Sequence, residues 1–336
     1  MPDPFDTTAL RAAVLDSWAS SPTRFREDAN AEEDLRLGGY ADAWFVELAQ
    51  NAADAGGGAG RVQVTVVDGE QRVANTGSPL TAAGVAALAS LRASAKRDDA
   101  GSVGRFGVGF AATLAVTAEP RVVSTSGSVA FSAARTAAEV AALPGPAAEL
   151  ARRDEPPVLR LVWPTEEQPP AGFDTEVRMP LRPGLDAATL LEHARASAPD
   201  LLLALAGLVE IDVAGTVVRR VDGPAEGLVT IGARRWLLAR RSGELADDVQ
   251  DQAVEQRGRR EWAVTWALPL SADDEPEPVS DDVAHAPTAT LERLALPARL
   301  LATLPLEPDR RHVRKGPVTD LVLDAAAAAY LDLVRA

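Results

Sequence analysis

Apolar and polar positions run along this chain in two rhythms, one helical and one alternating. Leu10, Val14, Leu15 and Trp18 keep helical spacing behind Thr7 and Thr8, either of which can cap, so 7–19 reads as a helix. The stretch 21–38 is polar and mixed and reads as an arm or loop. Trp44, Phe45, Leu48, Ala49 and Ala52 form the apolar face of a second helix, about 40–54, stopped by Gly56-Gly57-Gly58. Arg61 to Val67 alternates as a strand does, Asp68-Gly69 is a hairpin turn, and Gln71 to Asn75 pairs back. Thr76 to Leu80 is a loop before a helix at 81–91, residues 92–103 are polar and mobile-looking, and a helix follows Gly109 to about 117. Strand patterns return at 120–125, 128–133, 158–163 and 175–181, with Pro144, Pro146, Pro156, Pro157, Pro169 and Pro170 punctuating the loops.

This order predicts an α+β sandwich, one mixed, mostly antiparallel sheet with helices on one face, occupying 1–183. A smaller α+β region, 184–336, begins with a helix at 188–208 and continues with strands at 209–213, 216–221, 228–231, 235–240 and 261–268. An acidic turn, 273–278, precedes a basic cluster, Arg310 to Lys315, and a terminal helix, 318–335. That helix has the apolar face Leu321, Val322, Ala325, Ala329 and Leu333.

The second helix carries more than a core face. Glu47, Asn51 and Asp54 stand at i, i+4 and i+7, within about 40° of one another at roughly 100° per residue. Aligned polar groups on a largely apolar helix are costly unless they serve a purpose. A carboxylate can orient and polarise an attacking water, and an amide oxygen one turn on is a hard ligand of the kind Mg²⁺ accepts. Further along, Gly104, Gly107 and Gly109 run into an apolar helix, so that backbone N–H groups can approach phosphate oxygens. Together these features point to a nucleoside-triphosphate site.

Composition narrows the alternatives. A net charge of -15 disfavours nucleic acid as a partner, because its binders usually carry a basic footprint. There are no cysteines, which excludes disulfides and thiolate chemistry, and His193, His285 and His312 are too scattered for a zinc site. No apolar run reaches membrane-spanning length and no signal segment opens the chain, so a cytoplasmic protein is expected.

Glu47-x-x-x-Asn51-x-x-Asp54-Ala55, then Asn75-Thr-Gly77-x-Pro-Leu80, then Gly104-x-x-Gly107-x-Gly109-Phe110 resemble, in this order, the Bergerat-fold (GHKL) ATPases. That superfamily includes gyrase, the ninety-kilodalton heat-shock chaperones, histidine kinases and MutL. The glycine box resembles the chaperone form, and Ser94-Ala95-Lys96 before it is similar to the sacsin-like branch. The resemblance covers about 24–183 and extends more loosely to 287–336. It implies a Bergerat fold, ATP/ADP and Mg²⁺ as cofactors, Glu47 as catalytic base and Asn51 as metal ligand. Asp54 would lie nearer the base or ribose. Asn75, Gly77, Leu80 and Thr175 would line the adenine end, Ser94 and Lys96 the start of a lid, and Gly104, Arg105, Phe106, Gly107, Val108, Gly109 and Phe110 the phosphates. A basic residue among Arg310, Arg311 and Lys315, with Arg311 the candidate, would reach the γ-phosphate from the second domain.

Asn75 stands where the superfamily usually has an adenine-reading Asp, and Pro79 replaces a glycine. An amide oxygen can still accept the adenine amino group, though less strongly than a carboxylate. The expectation is a slow, chaperone-like Mg²⁺-dependent ATPase module whose lid and second domain respond to nucleotide. The alternative is a nucleotide-binding switch with little or no turnover. The missing client-binding segment suggests a part of a longer protein, so a protein client or further C-terminal domains are expected partners, and the oligomeric state stays open.

Overall fold

The first two helices pack through aromatic residues. In the computed structural model, which describes residues 3–37, 43–89, 108–246, 261–279, 283–286, 288–307 and 311–336, these are α1 (Thr7–Ser20) and α2 (Pro22–Leu37). Trp18 meets Phe25 edge-on with ring centroids 5.0 Å apart, and its Nε1 donates to Asp28 Oδ2 at 2.9 Å. The stretch read as an arm is therefore a helix. Phe25, Ala29 and Glu32 form its buried stripe, and the glutamate in the third place breaks the apolar period that would have revealed it. Glu32 is satisfied from far along the chain, accepting from the main-chain N–H groups of Val158 at 2.5 Å and Leu159 at 3.0 Å and facing Arg160.

The chain continues through α3 (Trp44–Gly56), β1 (Gly60–Val67), β2 (Glu70–Asn75), α4 (Ala82–Leu88) and a 3₁₀ helix (Val108–Ala115). Then come β3 (Arg121–Ser124), β4 (Ser128–Ala130), α5 (Ala133–Ala141), α6 (Pro144–Leu150), β5 (Trp163–Thr165), β6 (Thr175–Pro180), α7 (Ala187–Ala204) and β7 (Leu208–Val213). The chain forms two compact units, residues 1–196 with 211–216, and 197–210 with 217–336.

In the first unit the strand order is β1-β2-β6-β3-β4-β5, with the second half of β7, 211–213, beside β1. The pairings from β1 to β5 are antiparallel. Register gives the sheet two unlike faces. Val64, Val73, Val177, Val122 and Val129 lie side by side across five strands and are buried. One residue over, on the other face, Arg72, Arg178 and Arg121 stand directly opposite one another. Like charges so placed repel. Glu70, Glu167 and Glu176 lie between them, with Arg72–Glu70 at 2.7 Å, Arg178–Glu167 at 2.8 Å and Arg121 paired with both Glu70 and Glu167. Helix α3 packs on β1 and β2.

Three local expectations are corrected. Of the stretch 158–163 only Trp163 is in a strand, β5, which runs on to Thr165, although Val158 to Val162 are buried. The strand expected at 128–133 ends at Ala130, and the residues after it, through 150, hold α5 and α6, started by the Ser132 cap, which accepts from Arg135 N at 3.2 Å, and by Pro144 in the first turn. The helix after Gly109 is of the tighter 3₁₀ type rather than α.

The second unit orders its strands β8 (Thr216–Asp222), β9 (Leu228–Ile231), β10 (Arg234–Glu244), β11 (Glu261–Leu270), β14 (Arg299–Ala302), β12 (Val283–His285) and β13 (Ala289–Arg293). From β8 onward the pairs are antiparallel except β12 with β14, and β12 to β14 were not foreseen in the sequence. Helix α8 (Pro317–Arg335) buries Val318, Val322, Ala326, Ala329 and Leu333 among Val264, Trp266 and Leu300, and Trp266 Nε1 donates to the Ala326 carbonyl at 2.7 Å. The chain is thus α+β with mostly antiparallel sheet. Among the described residues no helix is long and apolar enough to cross a membrane.

Burial pushes the Glu32 carboxyl up to about 7, against the pull of Arg160 and of the Leu159 and Val158 N–H groups. The folded state then holds a proton that the unfolded chain has already released above its ordinary 4.5. Stability from this site is full below that value and is lost as pH rises through about 7. Relative to Glu32→Gln, the wild type is expected to lose about 3 kcal/mol across this window, read by urea unfolding from about pH 4.5 to 7.5. A difference that stays flat with pH would rule out titration of Glu32 there.

Candidate functional site

Helix α3 forms because its apolar positions leave one polar edge. Trp44, Phe45, Val46, Leu48, Ala49 and Ala52 are buried, and Gly57 at φ +57° ends the helix in the left-handed region where glycine is favoured. The polar edge shows a gradient. Glu47 is 8% exposed, Asn51 is half-buried one turn on, and Asp54 is exposed near the helix end.

The 3₁₀ helix meets this edge at its first turn. A Cβ on Gly109 would overlap Oε2 of Glu47, so the carboxylate in this position lies directly against the Gly109 main chain. Phe110, next in sequence, is fully buried and packs near Phe131. Glu47 and Gly109, 62 positions apart in number, are thus set against each other. The far end of the 3₁₀ helix is held by Arg182, whose Nε donates to the Leu114 carbonyl at 2.8 Å while its two Nη groups grip Glu155.

A second cluster lies where β2 ends. Asn75 sits opposite Val62 on β1 and Thr175 on β6, and Thr175 sits opposite Ser124 on β3. By register all of these belong to the buried face, the face of Val64 and Val73. The chain then turns through Thr76 and Gly77. Gly77 has φ +125°, and a Cβ there would run into the Ala55 carbonyl at the end of α3. Ser78 N donates to that same carbonyl at 3.0 Å. Leu80 is buried and held on both sides of its main chain, its N–H by Ser124 Oγ at 3.0 Å and its carbonyl by Ser126 Oγ at 2.6 Å. Thr81 then caps α4, accepting from Gly84 N at 3.0 Å.

The sequence reading missed three residues of this cluster, Ser124, Ser126 and Asp174. Ser124 Oγ also donates to the Asp174 carbonyl at 3.0 Å and lies 3.2 Å from Thr175 Oγ1, and Asp174 Oδ2 accepts from Gly77 N at 2.8 Å. One signal was available. In the alternation of 120–125, Ser124 shares the face of Val122, and a hydroxyl on an apolar strand face needs polar partners.

Ser94, Lys96, Gly104, Arg105, Phe106, Gly107 and Arg310 lie outside the described residues, and of Val108 only the main chain is described. Arg311 and Lys315 are exposed residues of the second unit, and the Arg311 carbonyl accepts from Leu291 N at 2.8 Å beside β13. Among the described residues no group of three or more His, Asp or Glu gathers in a way that could hold a metal ion. An Mg²⁺ carried by phosphates needs less, because it keeps most of its waters and takes one or two protein oxygens. The half-buried Asn51 amide, one turn from the Glu47 carboxylate, fits that demand.

No protein-family model matches the chain, and no curated protein matches it in sequence.

The close approach at Gly77 can be measured against a glycine in open space. Gly58 has φ +94° with nothing near its Cβ position. Gly58→Ala is expected to cost only backbone strain, about 1 kcal/mol, and Gly77→Ala about 2 kcal/mol or more by urea unfolding. Equal losses in the two variants would mean that the Ala55 carbonyl yields freely.

Proposed function

We propose that the first unit is a Bergerat-type nucleotide-binding domain that binds ATP with Mg²⁺ and hydrolyses it slowly, as part of a chaperone-like, sacsin-like ATPase of the cytoplasm. The observation that carries this reading is the buried Glu47 carboxylate lying against Gly109, at the start of a helix that follows a glycine-rich stretch.

In this reading Glu47 accepts a hydrogen bond from a water, orients it in line with the γ-phosphate and takes up its proton as attack proceeds. Asn51 offers its amide oxygen to the metal, and Mg²⁺ supplies charge neutralisation at the phosphates. Gly109 leaves its main chain free to approach a phosphate oxygen. Asn75, Gly77, Leu80 and Thr175 form the base end, and Asp54 lies at the exposed edge of α3 between the two. A protein client or further domains respond to the bound nucleotide.

A second reading, a nucleotide switch with little turnover, is favoured by one observation. The base end carries the neutral Asn75, whose amide oxygen is a weaker acceptor than a carboxylate.

Mg²⁺-dependent phosphate release from ATP separates the two. Glu47→Ala is expected to lower release by about 10²–10⁴-fold while calorimetric ATP binding persists. Asn51→Ala is expected to weaken binding in the presence of Mg²⁺ and to leave metal-free binding near wild type. Release that survives unchanged in Glu47→Ala would remove Glu47 as the base. Binding without release in every variant supports the switch.

A further inference from the structure

Asp174 controls the turn that follows β2. Its main-chain N donates to the Asn75 carbonyl at 3.0 Å, and its Oδ2 accepts from Gly77 N at 2.8 Å. One residue therefore brackets Thr76 from both sides. Asp174 is itself held by Ser124, which is fully buried and donates to its carbonyl at 3.0 Å. Gly77 cannot relax toward α3, because the Ala55 carbonyl occupies that side.

The consequence reaches Asn75 through one peptide plane. The Thr76 carbonyl and the Gly77 N–H belong to the same planar unit and point in opposite directions. Holding the N–H on the Asp174 carboxylate turns the carbonyl toward Asn75, whose Nδ2 donates to it at 3.2 Å. A carbonyl only accepts, so the amide end facing it is the nitrogen; the reversed amide would set two oxygens together. Oδ1 is then the end of Asn75 left to meet a ligand, and it can only accept.

An asparagine, unlike an aspartate, has a wrong end. Freed from Thr76, its amide can turn and offer a donor instead. We propose that Asp174 is a positioning residue which, through the Thr76–Gly77 peptide, presents Asn75 as an acceptor and so makes the site prefer a base bearing an amino group over its oxo counterpart. This rests on the nucleotide-site reading above. The Asp174 bond is charge-assisted, which is why a neutral replacement holds the peptide less firmly.

The test uses the full chain and two probes that differ in one group, ATP and inosine triphosphate, with dissociation constants measured by calorimetry. Wild type is expected to prefer ATP by about 10–100-fold, the effect of leaving a buried acceptor facing an acceptor. Asp174→Ala is expected to bring that ratio to within about threefold of unity, chiefly by tightening inosine triphosphate relative to ATP. The double variant Asn75→Asp/Asp174→Ala is expected to regain the preference, since a carboxylate has no donor end to expose. A general loosening of the fold would not be repaired that way. Should Asp174→Ala fail to fold, the ratio has to fall severalfold in Asp174→Asn, which fills the same space with a neutral acceptor.

An unchanged ratio in the folded Asp174 variant, or a wild type that binds both triphosphates equally, overturns this proposal and leaves the nucleotide site standing. A wild type that binds neither overturns the nucleotide reading and this proposal together.

Discussion

Helix α3 is held between two places where another backbone comes too near to carry a side chain. At its first turn Gly109 abuts the Glu47 carboxylate, and at its end Gly77 abuts the Ala55 carbonyl. The approach at Gly77 has little slack, because a methyl group there would have to displace a main-chain carbonyl, whereas one on Gly109 would meet the end of the Glu47 side chain. The loop after β2 is therefore placed against the end of α3 by steric exclusion, while the 3₁₀ segment meets α3 through the Glu47 side chain. The polar edge of α3 gains its meaning from that placement. Glu47, Asn51 and Asp54 run from a buried end beside Gly109 to an exposed end near the Gly77 turn.

Around that frame, buried polar groups do the work that apolar packing cannot, because hydrogen bonds have direction. Ser124, Asp174 and Ser126 tie both ends of the 75–80 loop to the start of β6 and the β3–β4 turn. Glu32 reaches from α2 to the main chain at Val158 and Leu159, and Arg160 beside it donates to the Ala89 carbonyl at the end of α4 at 2.8 Å. Each such group is costly to bury and becomes tolerable only when its partners arrive. The arginine row on the outer face of the sheet obeys the same rule, since Arg72, Arg121 and Arg178 share one level only with glutamates between them.

Much of the architecture was legible along the chain. The apolar stripe of α3, the alternation of β1 and the Asp68-Gly69 turn are local patterns with a fixed period, and they formed where expected. An element whose apolar stripe is interrupted by a buried charge was not legible. In α2 the third position of the stripe is Glu32, and its partners lie more than a hundred residues away. Helices α5 and α6 were hidden by prolines and alanines that suit loops and helices alike. The order of motifs suggested that Glu47 and the glycine box share a site, whereas the contact of Glu47 with Gly109 is a tertiary fact.

The sequence by itself determined which residues can form helices and strands, and which polar side chains must share a helix edge, because those follow from the period of the backbone. It also determined the chemistry available, a carboxylate, an amide and a set of glycines, with no thiol among them. Only the tertiary structure decided that Asp174 and Ser124 belong with Asn75, and that Glu32 belongs with Arg160. Those partnerships join residues distant in the chain through strand register and loop closure, and neither leaves a periodic trace in the local sequence.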